Sequence, residues 1–92
     1  MQILLTERFQ KDILKLSGNE QESMFTALLL IPDAIKDPHR HSGLGIRKIH
    51  HSGIFEARAG LKLRMVFGVQ LRRITLHRIG NHDEIHRYLK GL

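Results

Sequence analysis

Ninety-two residues with 41% hydrophobic and 26% charged side chains suffice for one modest core and exclude a disordered chain. Fifteen Lys and Arg against nine Asp and Glu leave a net charge of +6, which favours an acidic partner: nucleic acid, an anionic membrane or an acidic protein. The absence of Cys excludes disulfides, thiolate catalysis and Cys-rich zinc sites, and it fits a reducing compartment.

The opening MQILL is too short for a signal core, and Glu7 and Arg8 follow at once. Ala27 to Ile31 is an apolar run far too short to span a bilayer. A single domain, residues 1–92, is therefore expected in the cytoplasm, with no membrane partner. Gln2 to Leu5 suits a first strand. Thr6 is an N-cap candidate for a helix through Leu16, with Phe9, Ile13 and Leu16 at helical spacing. Ser17-Gly18 stops that helix, and Asn19 is expected to cap a second one with Glu22 in the capping-box position. Met24, Phe25, Leu28, Leu29 and Ile31 form its apolar stripe. Pro32 should kink or end it, and Pro38 closes the segment.

His39 to Gly53 reads as a loop with a short strand around Ile46 to His50. Three strands with tight turns follow, then a terminal helix after the turn signal Gly80-Asn81. Side chains alternate along a strand. Phe55, Ala57 and Ala59 thus share a face with Leu63, Met65, Phe67 and Val69, and with Ile74 and Leu76. The opposite face carries Glu56, Arg58, Lys62, Arg64, Arg73 and His77. Alternation sends Arg78 with Leu76 toward the core side. The expected fold is α+β: a small antiparallel sheet of about four strands, packed by an N-terminal helical hairpin, with a short C-terminal helix.

The cationic face is the main clue to function. Arg58 and Arg64 flank a short turn, and guanidinium groups on a rigid sheet suit phosphate, because each offers a planar fork of donors that stays charged. The plain alternative is solvated cross-strand pairing with Glu56 or other carboxylates. Seven His invite a metal reading, but none of their spacings matches a standard zinc site. His82 and His86, four apart, could share a helix face without an HExxH frame or a third ligand. His82 can move a proton near neutral pH, and Tyr88 can orient or stack a base. Their plain alternatives are a helix terminus and a cap on the core.

The order strand, helical hairpin, strand-rich half, with Phe55-Glu56-Ala57-Arg58, Arg64-Met65-Val66-Phe67 and His82 through Tyr88, resembles the RelE/ParE superfamily of bacterial toxin–antitoxin toxins. The RelE branch implies a metal-independent, cofactor-free endoribonuclease that enters the ribosomal A site and cuts mRNA, the ribose 2′-hydroxyl attacking the adjacent phosphate. Matched by position, Arg64 would stabilise the phosphate and Arg58 would bind or help activate it. His82 would act on the leaving oxygen, Tyr88 matches the C-terminal Tyr, and Glu56 could be the general base. Lys48, Lys62, Arg73, His77 and Arg78 would bind RNA, with His77 or Arg78 as alternatives to His82. Lysines that some relatives carry on the first of these strands are absent, which leaves the base open. The resemblance also implies an acidic antitoxin over the basic face or the helical hairpin, and the ribosome and mRNA as further partners. A ParE-like inhibitor of DNA gyrase and a non-catalytic basic binding module are the readings from other classes.

Overall fold

The computed structural model describes residues 1–37 and 39–92; the expectation for Pro38 falls outside them. The chain runs β1 (Gln2–Leu5), α1 (Glu7–Leu14), α2 (Gly18–Lys36), a 3-10 turn (Ser42–Leu44), β2 (Arg47–His50), β3 (Ile54–Arg58), β4 (Arg64–Gln70), β5 (Arg73–Gly80) and α3 (His82–Lys90). The architecture is α+β. The sheet has five strands in the order β1-β5-β4-β3-β2, one more than expected, and β1 lies parallel to β5 rather than antiparallel. The returning chain is α1, α2 and two hairpins, a connection long enough for a parallel pair.

Local signals set the helix starts. The Thr6 hydroxyl accepts from the Phe9 N–H at 3.1 Å and donates to the His77 carbonyl at 3.3 Å, tying the cap to β5. The second helix is capped by Ser17 rather than Asn19. Ser17 and Glu20 close a reciprocal capping box at 3.1 and 2.9 Å, so Glu20, not Glu22, is the box carboxylate. Pro32 neither ends nor interrupts α2, which continues to Lys36. Ile31 and Ala34 on either side of it are buried, and that packing outweighs the one backbone hydrogen bond a proline removes.

The core lies where expected, between the helical hairpin and one sheet face. Phe9, Met24 and Ile31 from the helices meet Met65, Phe67, Ile74 and Leu76 from β4 and β5, all fully buried. Phe25 and Leu29 of the expected stripe point out instead, 46% and 70% exposed. The opposite face is not uniformly polar. Val66 is fully buried there and Ile85 nearly so, in a second apolar contact beneath α3.

A bulge changes the parity of β5. Val66 pairs with Arg78 but Phe67 pairs with Leu76, so His77 is the extra residue. Ile79 rejoins the core face, and Arg78 turns to the face of Val66, away from the core side that simple alternation gives it. Among the described residues, the outer edge of β5 has no strand beside it beyond Leu5. There Asp12 of α1, 4% exposed, accepts from the Ile79 N–H at 3.1 Å and from Arg78 Nε at 2.8 Å. A carboxylate thus satisfies the backbone edge that β1 leaves bare.

Candidate functional site

The site forms where β2, β3 and β4 pass beneath α3. Arg47 is the cross-strand partner of Glu56, and Arg64 is its diagonal neighbour on β4. Glu56 Oε1 lies 3.6 Å from the Arg47 guanidinium and 3.3 Å from Arg64 Nε. Its side chain is 11% exposed and that of Arg64 23%, so this row of charge is partly withdrawn from water. Arg64 Nε faces Glu56 and its Nη1 donates to the Leu63 carbonyl at 3.4 Å, and together these orient the fork.

Asn81 starts α3. Its side chain accepts from the Glu84 N–H while Glu84 accepts from the Asn81 N–H, both at 2.9 Å. The helix then sets His82, Ile85, His86 and Leu89 along one face, at spacings of three and four. The His82 and His86 rings lie nearly parallel with centroids 6.2 Å apart. Together with Arg47, Lys48, Ile49, Glu56 and Arg64 these four line a cavity of about 340 Å³. A second depression of about 350 Å³, lined by Lys62, Asn81, Asp83 and Leu61, shares Arg64 and His82 with the first. Arg64 and His82 therefore form the wall shared by the two adjoining depressions. A cation with a fixed fork beside two imidazoles can bind a phosphate and move protons at its oxygens.

The structure divides the sequence-derived set. It brings Glu56, Arg64, His82 and Lys48 to the cavity and Lys62 to the depression beside it. Arg58 is directly opposite Arg64 in the ladder, yet its side chain crosses Gly45 and lines a different groove against α2 and the 3-10 turn. At Gly45, which has φ +57, an added Cβ would lie 3.2 Å from Arg58 Nε. Tyr88 is on the far side of α3, where its ring lies 5.4 Å from the Arg78 guanidinium carbon. Arg78 is committed to Asp12 and Tyr88 and is mostly covered, a structural strut rather than an open cation. Arg73 shares the sheet face of Arg64 but pairs with Gln70, six residues along β4, on the order of 20 Å away. His77 sits above Gly68, where a Cβ would come within 3.2 Å of its Nε2, and burial pushes its pKa down.

Arg47 and His86 belong to the cavity and were not among the expected site residues. The four-residue spacing of His82 and His86 was a legible signal for the second. Nothing local marks Arg47, which arrives through the pairing of β2 with β3. Among the described residues no cluster of three or more His, Asp or Glu could hold a metal ion, and no helix is long and apolar enough to cross a membrane.

The helical hairpin on a five-stranded sheet, with a terminal helix across the opposite face, is a fold shared with solved RelE toxins. No family model matches the chain, and no curated protein does. Solved structures do. A copper-bound mutant toxin from Helicobacter pylori superposes with a TM-score of 0.74 at 21% identity, covering 92% of this chain and 98% of that one. RelE in the RelB–RelE antitoxin–toxin complex of Methanococcus jannaschii gives 0.65 at 22% identity, over 92% and 96% of the two chains. YafQ from E. coli gives 0.63 at 11% identity, over 90% and 94%.

Proposed function

We propose that this chain is the toxin of a toxin–antitoxin pair and a metal-independent endoribonuclease that cuts mRNA on the ribosome, in the cytoplasm. The observation that carries the reading is the meeting of Arg64, Glu56, His82 and His86 on one groove. Arg64, oriented by Glu56, takes two oxygens of the scissile phosphate and offsets the charge that grows there. The ribose 2′-oxygen forms the new bond to phosphorus and the bond to the 5′-oxygen breaks. His82, beside Arg64, gives its proton to that leaving oxygen, and a second group takes the 2′-hydroxyl proton. Glu56 already shares its carboxylate with two guanidiniums. His86 forms no ion pair among the described residues and is the better-placed acceptor. The products are a 2′,3′-cyclic phosphate and a 5′-hydroxyl. Lys48, Lys62 and Arg47 border the groove and suit the flanking backbone.

Arg58 in the adjoining groove would contact RNA further along and not the reacting phosphate. Tyr88 would act on the position of α3. An acidic, amphipathic antitoxin segment is the expected partner. The outward Leu14, Phe25 and Leu29 of the helical hairpin offer it an apolar seat, and the basic groove offers the charge.

The test is expression in bacteria with mapping of mRNA 5′ ends and, in parallel, of the DNA damage response. Growth arrest with new mRNA ends, abolished by Arg64→Ala, is the expected result. Arrest with a damage response and intact mRNA would move the chain to the gyrase-inhibitor reading. No arrest at all would leave the basic binding module.

A further inference from the structure

The hairpin that joins β4 to β5 carries a feature that folding does not call for. Leu71 is at its tip, 95% exposed, with φ 54. Among the described residues no other non-glycine has a positive φ. Tight hairpins put Gly, Asn or Asp at such positions, because a side chain there is strained. Leu71 gains no burial in exchange. Arg72 and Arg73 follow it, and neither forms an ion pair among the described residues. The tip is held firmly, since the Gln2 N–H donates to the Arg72 carbonyl at 2.8 Å and Arg73 pairs with both Gln70 and Gln2. Met1, Gln2 and the tip residues enclose a groove of about 540 Å³. No Asp or Glu occurs anywhere in residues 57–82.

We infer that this tip is a second nucleic-acid surface, separate from the groove of Arg64, and that it docks in the shallow minor groove of an A-form RNA helix. The chemistry selects that partner. Two guanidiniums on a rigid hairpin match phosphates across a groove, and the apolar Leu71 beside them suits a surface of sugars and base edges. The RNA minor groove is wide and shallow enough to admit a hairpin end, whereas the major groove of A-form RNA is closed to side chains. Arg73 lies on the same sheet face as Arg64, on the order of 20 Å away. A structured RNA gripped at the tip would thus leave the cleft open for a single strand. The choice of RNA rests on the nuclease reading; the existence of the surface does not.

The experiment measures binding of the full chain, in a His82→Ala background, to a blunt RNA duplex, the same duplex as DNA, and anionic phosphatidylserine vesicles, across a range of salt. Leu71→Asn is expected to raise Tm by about 3 °C as the turn relaxes. The same change should weaken RNA-duplex binding about tenfold, the scale of one lost apolar insertion. Opposite signs in stability and affinity are what a purely structural Leu71 would not produce. Arg72→Ala with Arg73→Ala should lower the slope of log K against log salt by about 2. With His82 restored, Arg72→Ala should still cut mRNA on purified ribosomes at the wild-type kcat. Unchanged duplex binding by Leu71→Asn, an unchanged salt slope, or equal preference for DNA or vesicles would overturn the assignment. A wild-type chain that binds the duplex yet cuts no mRNA on purified ribosomes would remove the nuclease and keep the tip. One that cuts but ignores the duplex would do the reverse.

Discussion

Replacing Asp12 with Ala tests whether the strut between α1 and β5 holds the molecule together. The Asp12 carboxylate is 4% exposed and accepts from Arg78 Nε at 2.8 Å and the Ile79 N–H at 3.1 Å. Arg8 adds a contact at 3.3 Å, but it is 54% exposed and contributes only about 0.3–0.5 kcal/mol. Removing the carboxylate strands a guanidinium that is 15% exposed and a buried backbone donor. Breaking a buried pair from one side costs about 3–5 kcal/mol, because a charge stays behind without its partner. A domain of this length has about 5–15 kcal/mol in total. The expected loss is therefore about 15 °C or more in Tm, or about 2 M in the urea midpoint. Arg78→Met in the same chain should recover part of that, since the stranded charge is gone. Equilibrium urea unfolding followed by far-UV circular dichroism measures all three variants. A cost for Asp12→Ala below about 1 kcal/mol, or a double variant that loses the plain sum of the two single ones, would refute the strut.

His77 makes stability depend on pH. Burial pushes its pKa below the ordinary 6.5, so the unfolded chain takes up a proton first. Its contribution is full above 6.5 and is lost as pH falls from there toward the folded value. His77→Gln should flatten the fall in urea midpoint between pH 7.5 and 5.5. Arg64→Ala should cut turnover about 10²–10³-fold while the urea midpoint stays near that of the wild type, read by cleavage on purified ribosomes. His86→Ala should lower kcat by about 10² or more; an unaltered kcat would return the proton-accepting role to Glu56. Gly45→Ala should cost about 1–3 kcal/mol through its φ of +57, and the crowded Arg58 side chain should shift, seen as changed chemical shifts around it.

Much of the architecture was legible because it is written in short-range terms. Thr6 could be picked as a cap, and Leu63, Met65, Phe67, Ile74 and Leu76 as one face, from hydroxyl chemistry and two-residue alternation alone. Between Ser17 and Asn19 the sequence offered two caps of similar strength, and the reciprocal bonds of Ser17 and Glu20 decided. Arg47 could not be placed near Arg64 without knowing that β2 flanks β3. Arg58 and Arg64 were rightly seen as cross-strand neighbours, yet the missing side chain at Gly45 lets Arg58 lean outward.

The amino-acid order by itself determined the elements, the oily face and the cationic excess, because caps, periodicity and charge act over a few residues. Only the tertiary structure decided which cations share a groove. The extra residue at His77 turned Arg78 from the core side toward Tyr88, and docking of α3 across Val66 put His82 and His86 beside Arg64 while sending Tyr88 to the other side. Register, bulges and helix docking are set by contacts between segments distant in the chain, and no local pattern carries that information.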